Sequence, residues 1–313
     1  MMIYTVTLNP SIDYIIHLDH LDIGGVNRIS KDFKLPGGKG INVSRILNQL
    51  DISTTALGFT GGFTGRFITD WLDQEGIQTD FIEVNDDSRI NVKLKAEKET
   101  EMNGDGPYID AAQADLLLEQ YDHFTADDLV VLSGSRPKSL SDRYYQQMIQ
   151  KLAGKNIPFV IDTTGADLKA ALPYKPLLVK PNHHELGDLF GVQLETVADM
   201  IPYGKLLLEE GPQFVIISLA GDGALLFSQE GTYHGQAPKG KVKNSVGAGD
   251  SMVAGFVGTY SQTQNPLEAF KFSIACGSAT AFSDDLAKRP DIDALLSDIQ
   301  IKKIDGVETY EDQ

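Results

Sequence analysis

The chain has 313 residues, 42% hydrophobic and 23% charged, which is ample for a sizeable core. Forty-four acidic against 27 basic residues leave a formal charge of −17, which repels nucleic acid and anionic lipid as general partners but leaves room for a locally basic cleft. The lone Cys276, in the apolar run FSIACGSATAF, excludes an intrachain disulfide and reads as a small buried hydrophobe in a cytosolic protein. The opening MMIYTVTLNPSIDY has no leader pattern. No run approaches the roughly 20 apolar residues that span a bilayer, so a cytoplasmic protein without membrane contact is expected.

In chain order, IYTVTL (3–8) predicts a strand ending at Asn9-Pro10, and 13–19 and 27–35 predict two more with mixed faces. GGKGINVSRILNQL (37–50) changes period: Ile41, Ile46, Leu47 and Leu50 make a helical stripe with glycines at its start. A strand follows at 54–61, a helix at 63–77 stopped by Gly76, and a short strand at 81–84. Strict alternation over 90–98, with 100–104 able to pair back, interrupts the α/β rhythm with polar-faced strands. Buried-type strands then recur at 128–134, 158–165, 177–182 and 214–223, separated by helical stretches near 139–153, 166–172, 183–190 and 196–210. A hairpin over 223–236 and helices at 249–261, 266–282 and 291–299 complete the chain. Runs of Val, Ile and Leu between helices imply a mostly parallel sheet covered on both faces. The expected architecture is one three-layer α/β domain over 1–313. A small β-sheet from about 11–35 and 88–105 is expected to protrude at the carboxyl edge of the strands, where such folds bind ligands.

Several motifs fail on inspection. GQAPKGKV (235–242) misses a P-loop by one residue, Val242, and has no helix after it. GFTGGFTG (58–65) does not spell the dinucleotide fingerprint. His183 and His184 are adjacent and so should diverge on a helix, and no cysteine pair exists, which argues against structural zinc.

The stretch VGAGDSMVAGFV is different. Gly247, Ala248 and Gly249 open an apolar helix whose first-turn amides lack internal partners, a ready anion site aided by the helix dipole. Asp250 beside them is either a helix-start carboxylate or a base that takes a proton from an attacking alcohol. In VKPNHHEL, Asn182 and Glu185 share a helical face; they read equally as a capping box or as holders of a hydrated Mg²⁺. In LPGGKGINVSR, the glycines let backbone approach a sugar, with Lys39 a cation and Asn42 an amide beside it; a simple glycine turn is the alternative. Asp13, after TLNPSI, is expected as a carboxylate at the end of strand one, able to take two hydroxyl donors. Arg89 opens a protruding strand as a phosphate clamp or an ordinary edge charge.

Together, GGKGINVSR (37–45), SGSRP (133–137), KPNHHEL (180–186), SLAGDG (218–223) and VGAGDSMVAGF (246–256) stand in one order and spacing. The chain resembles the ribokinase-like, or PfkB, carbohydrate kinases along nearly its whole length, and within them the hexose-phosphate branch. The resemblance implies a three-layer ribokinase-like fold with a β-sheet lid that often pairs two subunits, hence a homodimer. It implies transfer of the γ-phosphoryl of MgATP to the 6-hydroxyl of fructose 1-phosphate, with tagatose 6-phosphate as the rival substrate. By position, it makes Asp250 the catalytic base and Gly247, Ala248 and Gly249 the anion hole. Ser218, Leu219, Ala220, Gly221, Asp222 and Gly223 match a nucleotide-binding segment, and Asn182 and Glu185 a water-mediated Mg²⁺ motif. Asp13, Gly38, Lys39 and Asn42 match sugar contacts, and Arg89 and Arg28 meet the substrate phosphate. Arg136 in SGSRP stands where the family usually carries Leu, and no role is assigned to it.

Overall fold

A computed structural model of the chain describes residues 1–304. The chain opens with β1 (Ile3–Thr7), β2 (Ser11–His17), β3 (Lys31–Gly37), α1 (Lys39–Gln49), β4 (Thr54–Gly61) and α2 (Gly62–Gln74). It continues through β5 (Gln78–Val84), β6 (Arg89–Lys95), β7 (Glu99–Asn103), α3 (Ala111–Gln120), β8 (Leu129–Ser133), α4 (Tyr144–Gly154), β9 (Phe159–Asp162) and α5 (Gly165–Ala171). Then come β10 (Leu178–Val179), α6 (His183–Phe190), α7 (Val197–Glu209), β11 (Phe214–Ser218), β12 (Ala224–Ser228) and β13 (Gly231–Gly235). The last elements are α8 (Ala248–Thr263), α9 (Pro266–Ala281), α10 (Arg289–Leu295) and β14 (Ile301–Lys303).

Among the described residues, ten strands form one sheet in the order β14-β13-β12-β11-β10-β9-β8-β1-β4-β5. Pairing is parallel from β5 to β11 and antiparallel from β11 to β14. The alternation of side chains along each strand builds two cores. Val130, Leu132, Ile161, Val215 and Ile217 face a cluster that includes Leu117 of α3, Met148 of α4 and Leu207 of α7. Leu129, Val131, Val160, Phe214 and Ile216 face the other, with Ile46 of α1 and Phe256 of α8. This is the three-layer α/β arrangement expected. A second sheet, in the order β3-β2-β6-β7, comes from the two inserted segments, with β2 and β6 parallel and the outer pairs antiparallel. No helix among the described residues is long and apolar enough to cross a membrane.

Some expected boundaries move, each for a local reason. The strand read as 214–223 stops at Ser218, because Ala220 (φ 51°) and Gly223 (φ 93°) turn left-handed. The strand read as 158–165 ends at Asp162, and 177–182 contracts to Leu178–Val179 before Lys180-Pro181. α3 was not expected; a capping box between Asp110 and Gln113 starts it. β14 adds a short edge strand, and Asp13 lies within β2, not at the end of β1.

α8 and α9 pack closely because Gly255 and Gly277 carry no side chain. A Cβ on Gly255 would meet Phe272 O at 2.6 Å and Cys276 Sγ at 2.9 Å. Cys276 is fully buried there. Gly255→Val should therefore destabilise the fold by about 1–3 kcal/mol, read as a lowered midpoint in urea with an unchanged slope.

Candidate active site

The carboxyl ends of the parallel strands, the starts of α1, α6 and α8, and the second sheet enclose a cavity of about 680 Å³. That volume suits a small phosphorylated ligand. Asp13, Gly38, Lys39, Asn42, Arg89, Glu185 and Asp250, all singled out in the sequence, line it.

α1 begins at Gly38, whose φ of 120° only glycine adopts comfortably and whose added Cβ would strike Thr7 Cγ2 at 2.6 Å. This tight start brings Lys39 to Asp162, the last residue of β9, with Nζ 3.2 Å from Oδ2. One helical turn on, Asn42 Nδ2 donates to Asp250 Oδ2 across 2.8 Å and 208 residues. α8 begins at Gly247, left-handed at φ 79°, and no side chain caps it. Among the described residues, the amides of Gly249 and Asp250 donate to nothing, so the first turn of α8 presents the unpaired donors of an anion site. Ser251 Oγ donates to Gly247 O at 2.8 Å and pairs with Thr280 Oγ1 at 2.8 Å, which holds the turn in place. Arg45, 3% exposed, bonds both Glu75 and Asp285, at 2.7–3.1 Å, and so ties α1 to the stretch whose Leu286 packs on Gly247.

Burial, and next the charge of Asp162, push the Asp250 carboxyl up to about 6, against the pull of Lys39, the Asn42 hydrogen bond and Lys180. Asp162 is held below the usual carboxylate range by Lys180 and Lys39, which outweigh its burial. Lys39 is raised, chiefly by Asp162.

Other expected residues take less open roles. Asn182 Oδ1 accepts from Glu185 N at 2.9 Å and Glu185 Oε2 from Asn182 N at 2.8 Å, a complete capping box. Asp13 is already engaged: Ser11 Oγ donates to it at 2.8 Å, Asn91 Nδ2 at 3.2 Å, and Lys93 Nζ lies 3.2 Å away. Arg89 gives Nε to Asn9 O and an Nη to Gly104 O, both at 3.1 Å, and still faces the cavity. Arg28 does not reach the cavity; it sits in the exposed 18–30 loop. Ser218–Gly223 also lies outside the cavity lining, beside Asn182 through a bridge at Ser218, with Ala220, Gly221 and Asp222 exposed. The rings of His183 and His184 do not diverge but lie together, 3.8 Å between centroids and tilted by 41°. Among the described residues no group of three or more His, Cys, Asp or Glu is placed to hold a metal. Arg136 lines the cavity edge, bonded to Leu140 O and Asp142 and 3.8 Å from Asp167. Sequence reasoning passed over Asp162, Lys180, Asn91 and Lys93; VIDTTG, with an aspartate ending a buried strand at the ligand edge, was the available signal for the first.

The model of the pfkB family carbohydrate kinases matches residues 6–289. The chain belongs to this family. A 1-phosphofructokinase of Bacillus subtilis is 49% identical over 97% of this chain and 100% of its own. A D-tagatose-1-phosphate kinase of Bacillus licheniformis is 38% identical over 96% and 99%. Phosphofructokinase-2 of Escherichia coli, solved in complex with fructose-6-phosphate, superposes with a TM-score of 0.88 at 29% identity, over 94% of this chain and 98% of that one. The chain is a sugar-phosphate kinase, and its family makes ATP the co-substrate.

The raised carboxyl has a consequence for stability. A carboxylate whose folded pKa exceeds its unfolded value opposes folding above that folded value and contributes nothing below the unfolded one. Asp250→Asn should thus stabilise the protein by about 1–3 kcal/mol at pH 7.5, with the gain gone near pH 4; denaturant titrations at the two pH values check it.

Proposed function

We propose that the chain transfers the γ-phosphoryl group of ATP to the 6-hydroxyl of fructose 1-phosphate, giving fructose 1,6-bisphosphate and ADP. The observation that carries this reading is Asp250: a carboxylate in the first turn of α8, facing the cavity, with unpaired amides on one side and Asn42 and Lys39 on the other. Its pKa near 6 leaves it ionised at neutral pH yet basic enough to accept a proton. In the reaction, an Asp250 oxygen takes the 6-hydroxyl proton, the sugar's 6-oxygen bonds to the γ-phosphorus, and the bond from that phosphorus to the β–γ bridging oxygen breaks to release ADP. The amides of Gly249 and Asp250 receive charge on the phosphoryl oxygens, that of Ala248 being bonded to Ser245 O, and Lys39 supports them. Ser218–Gly223 holds the nucleotide along the open side of the cavity.

The donor set suits Mg²⁺ held through water: Glu185 faces the cavity, its second carboxylate oxygen accepts no hydrogen bond among the described residues, and magnesium keeps several waters. Asn182 and Glu185 would hold the ion, which when bound offsets phosphate charge. Arg89, with N–H groups to spare, anchors the sugar's own phosphate, and Asp13 with Asn91 and Lys93 orients its hydroxyls.

The second sheet serves as the lid and as the contact of a homodimer. It leaves β3 and β7 as open edges and exposes Ile90 and Met102, and the connection from β2 to β3 exposes Ile23, Val26 and Ile29. A phosphate role for Arg28 requires a second copy seated there. The rival substrates are tagatose phosphates: the 6-phosphate, and the 1-phosphate, which the Bacillus licheniformis relative's name specifies.

A coupled ADP assay over fructose 1-phosphate, tagatose 1-phosphate and tagatose 6-phosphate decides among them; fructose 1-phosphate should give the highest kcat/KM. Asp250→Asn should lower kcat by about 10²–10⁴-fold with ATP binding retained. A variant keeping a tenth of the activity would remove Asp250 from the role. In the wild type, kcat/KM should fall tenfold per pH unit below about 6, where Asp250 becomes protonated. Arg89→Ala should raise KM for the sugar phosphate about tenfold or more while KM for ATP holds, checked by steady-state kinetics.

A further inference from the structure

Arg136 stands in the loop after β8 and lines the cavity. A guanidinium carries five N–H groups in a fixed fork, and its Nε and Nη2 edge suits two oxygens of one anion. Buried Arg45 shows that edge filled: Glu75 accepts from its Nε at 2.9 Å and from its Nη2 at 3.0 Å. On Arg136 the same edge is half filled. Nη2 donates to Asp142, and Nη1 to Leu140 O at 3.0 Å. Nε is buried and, among the described residues, has no hydrogen-bond partner. Asp167 Oδ2 lies 3.8 Å from it, too far to accept. Burial, against the pull of Arg136, holds the Asp167 carboxyl above its usual range, so the two compensate each other only in part. A buried donor left unpaired is costly and calls for a partner. The bond to Asp142 is weakly held, since that carboxylate is 92% exposed and water competes for it.

Arg136 borders the same end of the cavity as Arg89. Arg89 donates an Nη to Gly104 O at 3.1 Å, the next residue Asp105 receives Lys138 Nζ at 2.8 Å, and Ile109 N reaches Ser139 Oγ at 3.0 Å. The 104–109 stretch thus lays Arg89 beside the loop that carries Arg136 and Lys138, and all three cations line the cavity. In a chain of net charge −17, three cations gathered at one end of a cavity face an anion. The bare amides of Gly249 and Asp250 serve the transferring group at the start of α8, which leaves this end for a second phosphate.

We propose that Arg136 is a specificity-determining residue, the second arm beside Arg89 of the clamp on the sugar's own phosphate. The guanidinium leaves Asp142 and sets its Nε and Nη2 edge on two phosphate oxygens, which pairs the orphaned N–H. The proposal rests on the kinase reading of the same site.

Arg136→Leu should raise KM for the preferred ketohexose phosphate about fivefold or more, while KM for ATP stays within about twofold and Arg136→Lys recovers part of the loss. A rise of less than about fivefold, or an equal rise in KM for ATP, overturns the proposal. Asp142→Asn separates the clamp from a loop brace. It frees the guanidinium, so KM for the sugar phosphate should hold or fall; a rise matching that of Arg136→Leu means the ion pair only braces the loop, and the proposal falls. If Arg136→Leu does not fold, Arg136→Gln takes its place. Should neither fold, a crystal structure of the wild type with the sugar phosphate decides. Nε about 2.7–3.1 Å from a phosphate oxygen supports the proposal, and a guanidinium still on Asp142 with the phosphate elsewhere overturns it. A wild type that releases no ADP with any ketohexose phosphate overturns the proposed function itself. An active wild type whose Arg136→Leu variant keeps its KM for the sugar phosphate overturns the role of Arg136 alone.

Discussion

Two carboxylates and two ammonium groups share one buried place at the carboxyl edge of the sheet, and the rest of the site depends on their balance. Asp162 ends β9, Lys180 follows β10, Lys39 opens α1 and Asp250 lies in the first turn of α8. Asp162, Asp250 and Lys180 are buried, while the Lys39 side chain is 36% exposed, and a carboxylate at that depth is costly to hold charged without a partner. The two carboxylates are held unequally. Asp162 takes the larger share of both cations and is lowered; Asp250 is left with an amide and the remainder and is raised. A difference between two carboxylates so close is what separates a structural counter-ion from a group able to accept a proton.

The cluster also explains the backbone around it. Gly38 and Gly247 take left-handed conformations that start α1 and α8 without a capping side chain, so nothing stands between the helix ends and the cavity. α3, α6 and α7 each carry a full capping box, whereas α2, α4 and α5, like α1 and α8, start without a side-chain cap; α1 and α8 are the ones that bring Lys39, Asn42 and Asp250 to the cavity. What stiffens them comes from behind, through Arg45 on Glu75 and Asp285, Ser251 on Thr280, and the glycine-lined contact of α8 with α9. Rigid support on the dry side and open donors on the wet side is a division suited to electrostatic preorganisation.

The second sheet brings the opposite character. Its strands are polar on one face, its edges are open, and the 18–30 loop is exposed. Yet it contributes Asp13, Arg89, Asn91 and Lys93 to the cavity wall. Lys95 Nζ donates to Asn244 Oδ1 at 3.3 Å, linking β6 to the stretch that leads into Gly247. Position of this sheet and geometry of the α8 turn are therefore mechanically joined.

How far the amino-acid order alone carries is visible residue by residue. The parallel strands were legible because Val, Ile and Leu runs have no other use in a covered sheet, and α1 and α8 because a helical stripe behind glycines marks an open start. Asn182 and Glu185 were legible only as a pair with two meanings, and the cap is formed while Glu185 still faces the cavity. α3 escaped notice because its stripe buries Leu117 alone, and β14 because three residues carry no period. Asp162 and Lys180 were read only as residues of the buried strands 158–165 and 177–182. Their meaning comes from one another and from Lys39 and Asp250, residues up to 211 positions apart in number, and no local pattern encodes such a meeting. Local order determined which segments become strands, which helices start bare and which residues are chemically able. Only the tertiary structure decided which charges meet, because burial and mutual distance, not residue type, set which carboxylate is paired off and which is left poised.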